Sequence, residues 1–180
     1  METVQCIKER RSVRKFTDEK VPQEVVKEIV ELASYAPSWK NTQTIRYMLV
    51  EDRAIIDKIA AEGVMDFAFN QKTLSRCGQL MLILQKNGIC GYEKDGSFST
   101  SKEENWEMFD AGIATQTFCL AAHDKGVGTV ILGIFDDKKV ADIVGIPEGQ
   151  TVAALVPMGY PAFAPDMPAR KSVDDLLSFK

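Results

Sequence analysis

Cationic side chains crowd one short segment near the start of the chain, and these are Arg10, Arg11, Arg14 and Lys15, with Ser12 among them. The chain as a whole is acidic, with a formal net charge of -4. Guanidinium groups offer planar, forked donors that match phosphate oxygens, and a serine hydroxyl can add a further hydrogen bond. The segment therefore predicts a binding site for a phosphate or another compact anion.

Composition limits the classes of protein to which the chain can belong. Its 180 residues, 45% of them hydrophobic, suit a single compact domain over residues 1–180. No apolar run approaches the roughly 20 residues of a membrane-spanning helix, and the N-terminus lacks the apolar stretch of a secretory signal. Net acidity argues against broad nucleic-acid binding. We expect a cytoplasmic protein with no membrane or nucleic-acid partner.

Cysteine spacing gives no sign of a disulfide framework or a metal site. Cys6, Cys77, Cys90 and Cys119 are widely scattered, without a Cys-x-x-Cys pair. Free thiols in a reducing compartment are the expectation for such a pattern. We interpret the four side chains as small core residues.

Helical and extended patterns alternate irregularly along the chain. Apolar spacing predicts helices near residues 4–11, 25–33, 55–60, 67–74, 106–122 and 138–144. Apolar runs predict buried strands at residues 47–50, 80–84, 129–132 and 151–159. Residues 85–105 are rich in Gly, Ser and Thr and form the longest irregular region, a length typical of a functional flap. Without a regular strand–helix alternation, the pattern favours an α+β fold over a doubly wound parallel sheet.

Three motifs in series resemble those of the FMN-dependent nitroreductase family. The first is the basic segment at residues 10–16, and the second is residues 36–43, directly before a strand. The third comprises residues 121–129, 132–133 and 154–161, and a last basic pair follows at residues 170–171. Their order and spacing cover nearly the whole chain. The resemblance implies a mostly antiparallel central sheet flanked by helices, in an intertwined homodimer with FMN at the subunit interface.

The same resemblance implies a set of cofactor-binding residues drawn from both subunits. One subunit would hold the phosphate end of FMN with Arg10, Arg11, Ser12, Arg170 and Lys171, and the flavin ring with Arg14, Asn70 and a backbone N–H of Leu132 or Gly133. The partner subunit would contribute Pro37, Ser38, Trp39 and Asn41. No side chain is expected to be catalytic, because hydride transfer occurs at the flavin N5 atom.

The implied activity is an oxidoreductase that takes hydride from NADH or NADPH and reduces a small conjugated acceptor, such as a nitroaromatic or a quinone, by a ping-pong mechanism. Two departures from the family pattern keep alternatives open. The family's Pro-Trp pair after Gln43 is replaced by Thr44 and Ile45, and the bulky Trp39 occupies a position that is often small. One alternative is a flavin carrier, store or sensor with little turnover. Another is different flavin chemistry, such as dehalogenation, with residues 85–105 as a substrate lid.

Overall fold

A computed structural model describes all of residues 1–180 and contains one antiparallel sheet of four strands. The strands are β1 (Ile45–Val50), β2 (Gln79–Lys86), β3 (Gly128–Thr129) and β4 (Gln150–Gly159), arranged in the order β1-β2-β4-β3. Each neighbouring pair is antiparallel. The predicted α+β class and mostly antiparallel sheet are confirmed.

Seven helices surround this sheet. They are α1 (Thr3–Glu9), α2 (Gln23–Ala33), α3 (Arg53–Lys58), α4 (Ala68–Leu74), α5 (Asn105–Asp124), α6 (Asp137–Val144) and α7 (Val173–Leu176). Single turns of 3₁₀ and π helix lie at Trp39–Asn41 and Ile59–Gly63. Side-chain caps fix the starts of α3 and α6, since Asp52 accepts from Ala54 N–H and Asp136 accepts from Lys139 N–H. No helix has both the length and the apolar character required to cross a membrane.

The core lies on both faces of β2, as its uninterrupted apolar run predicts. Leu80, Leu82 and Leu84 belong to the cluster beneath α3 and α6, while Met81 and Ile83 belong to the cluster beneath α2 and α5. This division follows from the two-residue repeat of a strand. Because both faces are covered, β2 is the rigid centre from which the neighbouring strands and loops are positioned.

Strand β3 is shorter than the sequence predicts, since its pairing ends at Thr129 instead of continuing to residue 132. Val130 donates to the carbonyl oxygen of Pro157, but Pro157 has no N–H to return the bond. The ladder is interrupted there and resumes only as an isolated pairing of Leu132 with Leu155. Beyond Thr129 the chain therefore leaves the regular ladder and keeps hydrogen bonds to β4 at Val130 and Leu132.

Helix α5 carries a second apolar face that is only partly covered. Phe109, Ile113 and Leu120 belong to neither core cluster. Phe109 is 58% exposed, and Ile113 and Leu120 are half-buried. The opposite side packs on the core through Ala114 and Phe118. The helix is apolar on both sides, so periodicity alone did not identify the side that packs on the sheet. The exposed apolar surface is available for a subunit contact in the homodimer that the family resemblance implies, and that homodimer stays a prediction.

The basic segment is pinned to the edge of this sheet. Val13 N–H donates to the Thr129 carbonyl at 2.9 Å, and Thr17 N–H donates to the Tyr160 carbonyl at 2.9 Å. Val13 and Phe16 are buried, while Arg14 between them is exposed. Two apolar anchors thus hold the backbone and direct the intervening cations outward.

The close contact between Gly128 and Val13 gives a stability test. A Cβ atom at Gly128 would lie 2.7 Å from Val13 Cγ2 and 3.0 Å from Pro161 Cγ. We expect Gly128→Ala to lower the free energy of unfolding by about 1–3 kcal/mol, the usual cost of overpacking, in urea denaturation. The control is Gly78→Ala, because no atom lies within 4 Å of its added Cβ. Equal effects of the two substitutions would contradict the packing of the basic segment on β3.

Candidate functional site

A cationic cavity lies between the basic segment and the C-terminal segment. Its volume is about 310 Å³ and it has no hydrophobic lining residue. The lining residues are Arg10, Arg11, Ser12, Arg14, Pro165, Asp166, Pro168 and Arg170. The structure thus brings together the basic residues expected from the two ends of the chain, except Lys171, which is exposed and lies outside the cavity lining.

The positive charge of this cavity is not neutralised within the chain. None of its four arginines forms a salt bridge, although Asp166 also lines the cavity. Arg11 Nη1 donates to the carbonyl oxygens of Lys8 and Arg10, at 2.6 and 2.9 Å, and so fastens the end of α1. The Arg10 guanidinium makes no hydrogen bond within the chain, so its donors are free. Unpaired guanidinium groups around a polar cavity fit a phosphate.

A second cavity has a volume of about 520 Å³ and shares Arg14 with the cationic cavity. Its lining residues are Arg14, Phe67, Phe69, Asn70, Ile131, Leu132, Gly133 and Ile134. Phe67 and Phe69 are in contact, with ring centroids 5.5 Å apart. Residues 131–134, which follow β3, line the same cavity. A mostly apolar cavity with a few polar groups is typical of a site for a flat organic ring.

Asn70 supplies a fixed polar group to this second cavity. It is 6% exposed, and its Nδ2 donates to the Ile134 carbonyl at 2.9 Å. Its Oδ1 accepts no hydrogen bond from the chain and remains available to a ligand donor. This hydrogen bond joins helix α4 to the segment at residues 131–134 that follows β3.

The expectation of a backbone donor from Leu132 or Gly133 is narrowed to one residue. Leu132 N–H donates to the Leu155 carbonyl at 2.8 Å and is therefore not available to a ligand. Leu132 still lines the cavity, and its place in a cofactor site stays a prediction. Gly133 N–H donates to no atom of the chain, and a Cβ at Gly133 would meet nothing within 4 Å. The isolated pairing with β4 thus uses one amide and leaves the next one free beside the cavity.

The second motif lies away from these two cavities in the single chain. Pro37 and Ser38 line a third cavity, and the ring of Trp39 packs on Trp106 with centroids 4.8 Å apart. Asn41 is exposed, and its Oδ1 accepts from Gln43 Nε2 at 3.3 Å. The structure therefore brings none of these four residues to the basic segment within one chain.

The backbone of this second motif is strained. Lys40, Asn41 and Gln43 have positive φ angles of 45°, 55° and 50°, a region that residues other than glycine rarely adopt. Trp39 N–H donates to Asp110 Oδ2 at 2.8 Å, and Lys40 forms an ion pair with Glu93 at 3.0 Å. Such strain persists where surrounding contacts impose it and is frequent at functional sites.

Three further residues near the candidate site were not expected from the sequence. Phe67 and Phe69 wall the second cavity, and Asp110 is buried beside the second motif. The Phe-x-Phe spacing directly before Asn70 was a usable signal. Asp110 carried none, because a lone carboxylate on an apolar helix is indistinguishable in sequence from an exposed one.

The buried thiols take no part in either cavity. Burial, with the Asp110 hydrogen bond, raises the pKa of Cys90 to about 12, and burial raises the pKa of Cys77 to about 11. These thiols stay protonated at neutral pH and are poor nucleophiles. All four cysteines are free and buried, which confirms their interpretation as core residues.

Comparison with known proteins gives a consistent result. A family model described as the nitroreductase family matches residues 7–160. An Archaeoglobus fulgidus protein named as an NADH dehydrogenase/NAD(P)H nitroreductase is 29% identical over 164 residues, covering 89% of this chain and 86% of that protein. An iodotyrosine deiodinase of Thermotoga neapolitana is 26% identical over 174 residues, covering 86% of each.

A solved structure shows the same likeness in three dimensions. A Desulfovibrio desulfuricans protein described as a nitroreductase in complex with FMN superposes with a TM-score of 0.75 at 25% identity. The match covers 98% of this chain and 95% of that one.

Proposed function

The chain belongs to the nitroreductase family, and from this premise we propose that it is an FMN-dependent oxidoreductase that uses NADH or NADPH to reduce a small conjugated acceptor. The observation that carries the proposal is that Arg14 lines both cavities. One cavity has four arginines without a carboxylate partner, and the other is mostly apolar. A cationic cavity beside a mostly apolar one matches a ligand with a phosphate at one end and a flat ring at the other.

The chain's contribution is binding, orientation and charge. Arg10, Ser12 and Arg170 would hold the phosphate, which carries a charge of about -1.5 to -2 at neutral pH. When bound, FMN would accept hydride at N5 and pass electrons to the acceptor, so the chemistry is the cofactor's. Arg14 would place a fixed positive charge beside the ring, where it favours added negative charge. Lys171 lies outside the lining of the cationic cavity, so it would contact the phosphate, if at all, from the cavity's exterior.

Polar groups on opposite walls of the second cavity would fix the ring's orientation. Asn70 Oδ1 is a free acceptor for a ring N–H, and Gly133 N–H is a free donor for a ring nitrogen or oxygen. Both groups belong to segments held by hydrogen bonds to the rest of the fold, through Ile134 and through Leu132. Rigid placement of this kind lowers the cost of ordering a bound ligand.

A homodimer would complete the site. We propose that Pro37, Ser38, Trp39 and Asn41 reach the FMN bound by the partner chain, because none of them lines the cavities of its own chain that would hold FMN. The uncovered face of α5, with Met108 and Phe109 more than half exposed, supplies apolar surface for such a contact. The free buried thiols suit a reducing compartment, and we propose a cytoplasmic location.

A second candidate function is reductive dehalogenation, favoured by the deiodinase relative. The segment between β2 and α5 would be the substrate lid. This segment contacts the second motif in two places. Glu93 forms an ion pair with Lys40. Thr100 Oγ1 accepts from Trp106 Nε1 at 2.7 Å, and the ring of Trp106 packs on Trp39. The same contacts would let a flavin carrier or sensor close its site, so turnover has to be measured.

Anaerobic titration separates these candidates. We expect the purified protein to show a flavin absorbance spectrum that NADH or NADPH bleaches rapidly, since donor and cofactor would share one open face. Steady-state rates with varied donor and a nitroaromatic or quinone acceptor should give parallel double-reciprocal lines. Intersecting lines would contradict a shared site. A spectrum unaffected by both nicotinamides would favour the carrier or sensor. Bleaching followed by reoxidation with a halogenated phenol but not with a nitroaromatic or a quinone would favour dehalogenation.

A further inference from the structure

A third cavity is lined by a buried carboxylate, and only one of the two carboxylate oxygens accepts hydrogen bonds within the chain. The cavity has a volume of about 360 Å³ and lies between α2, the second motif, β1 and α5. Asp110 lines it and is 3% exposed. Its Oδ2 accepts from Trp39 N–H at 2.8 Å and from Cys90 Sγ at 3.1 Å, whereas its Oδ1 has no partner in the chain. One carboxylate oxygen is therefore free to meet a ligand in the cavity.

No cation of the chain compensates Asp110. It forms no salt bridge. Arg46 is the one cationic residue that lines the cavity, but it is exposed, and its Nη1 donates to the carbonyl oxygens of Gln43 and Ile45. A buried carboxylate without a counter-charge is costly unless donors satisfy it. The cavity is thus built to receive a hydrogen-bond donor or a positive charge at its buried end.

The remaining walls suit an aromatic body. They include Val30, Ala33, Pro37 and Ile45 from three different elements, together with the ring of Tyr47. Tyr47 itself is stacked on Phe118, with ring centroids 5.6 Å apart, which fixes its position. Half of the twelve lining residues are hydrophobic, and Arg46 lies at the exposed side while Asp110 is buried. Apolar surface combined with a few placed polar groups is typical of a site that orients a small organic ligand.

We propose that this cavity is the acceptor subsite and that Asp110 selects conjugated acceptors carrying an ammonium or other N–H donor group. The inference rests on the proposed function, because Pro37 and Ser38 line the same cavity and are the residues expected to reach the partner's FMN. Asp110 is then a specificity-determining residue: it binds the donor end of the acceptor and leaves its conjugated end toward the flavin.

Matched acceptors test the charge selectivity. The probes are 4-nitrobenzylamine, 4-nitrotoluene and 4-nitrobenzoate, which share a nitroaromatic body and differ in charge. For the wild-type protein we expect kcat/KM for the amine to exceed that for the neutral compound roughly tenfold or more, as for a hydrogen bond to a charged group. The anionic compound should be the poorest of the three.

The variant Asp110→Asn removes the charge and keeps an oxygen for Trp39 N–H. It should bring the amine-to-neutral ratio of kcat/KM close to one. Because both values of kcat/KM are measured on the same variant, any general loss of activity cancels from this ratio. The matched control is Glu31→Gln on α2, an exposed acid that does not line the cavity. Its ratio should equal that of the wild type. A ratio unchanged in Asp110→Asn would overturn the inference.

Further outcomes separate this inference from the proposed function. If Asp110→Asn weakens dimerisation while the ratio is unchanged, a cation of the partner chain occupies the cavity and the inference is wrong. If the wild-type protein bleaches with neither nicotinamide, the proposed function fails. Calorimetric binding of benzylamine against benzyl alcohol then tests the cavity by itself, and it also serves if Asp110→Asn does not fold. Equal or undetectable binding of the two would overturn the inference.

Discussion

Two differently mutated chains should rebuild one intact flavin site when they pair, although neither binds FMN well alone. One chain carries Arg10→Ala and Arg14→Ala, and the other carries Ser38→Ala and Asn41→Ala. In an isologous dimer each composite site takes the basic segment of one chain and the second motif of the other. The heterodimer therefore has one site with all four substitutions and one site with none. We expect about one FMN per heterodimer and nearly flavin-free homodimers.

The measurement is the flavin-to-protein ratio of the isolated heterodimer, purified through two different affinity tags after co-expression. Circular dichroism and the mass in solution show whether each homodimer is folded and paired. A heterodimer that holds no more FMN than its parents would place both motifs in the site of the same chain. Since the single chain keeps the second motif outside both proposed FMN cavities, that outcome would also require a large rearrangement.

Removal of one unpaired guanidinium should weaken phosphate binding selectively. Arg10 lines the cationic cavity and makes no hydrogen bond within the chain, so its substitution leaves no buried group unsatisfied. We expect Arg10→Ala to weaken FMN binding by about 1.5–3 kcal/mol, the range for hydrogen bonds to charged groups, or roughly 10- to 150-fold in Kd. Riboflavin, which lacks the phosphate, should lose much less. Quenching of flavin fluorescence on binding gives both constants.

The control for Arg10→Ala is Arg76→Ala, because Arg76 is exposed and lines none of the three cavities described above. It should leave both flavin affinities unchanged. Equal losses for FMN and riboflavin in Arg10→Ala would mean that Arg10 does not contact the phosphate. The comparison separates a direct contact from a general effect of net charge.

Patterns of local origin in the sequence predicted the fold well. Helix α2 and strand β2 were predictable because each buries a regular set of apolar side chains. Strand β3 was overestimated because its limit depends on Pro157, a residue nearly thirty positions away that lacks the required donor. The covered side of α5 was equally unpredictable, since only the position of the sheet decides between two apolar faces.

The candidate site was predictable where it depends on residue type and not where it depends on hydrogen-bond partners. Arginines near opposite ends of the chain were expected to meet around a phosphate, and Arg10 and Arg170 line one cavity. The choice between Leu132 and Gly133 could not be made from sequence, because it depends on which amide the pairing with Leu155 uses. Asp110 was missed for the same reason, since its role follows from burial and from one unused oxygen.

The cationic cavity would also sort anions by size. A polyanion at the cavity would also come within about 8 Å, the screening distance at physiological ionic strength, of the surface around the cavity. The net charge of the molecule as a whole is negative. A nucleic acid strand would touch much of that surface and would be repelled, whereas a single phosphate small enough to enter would meet mainly the four arginines. We therefore expect a basic cavity in an acidic chain to favour a mononucleotide over an extended nucleic acid strand.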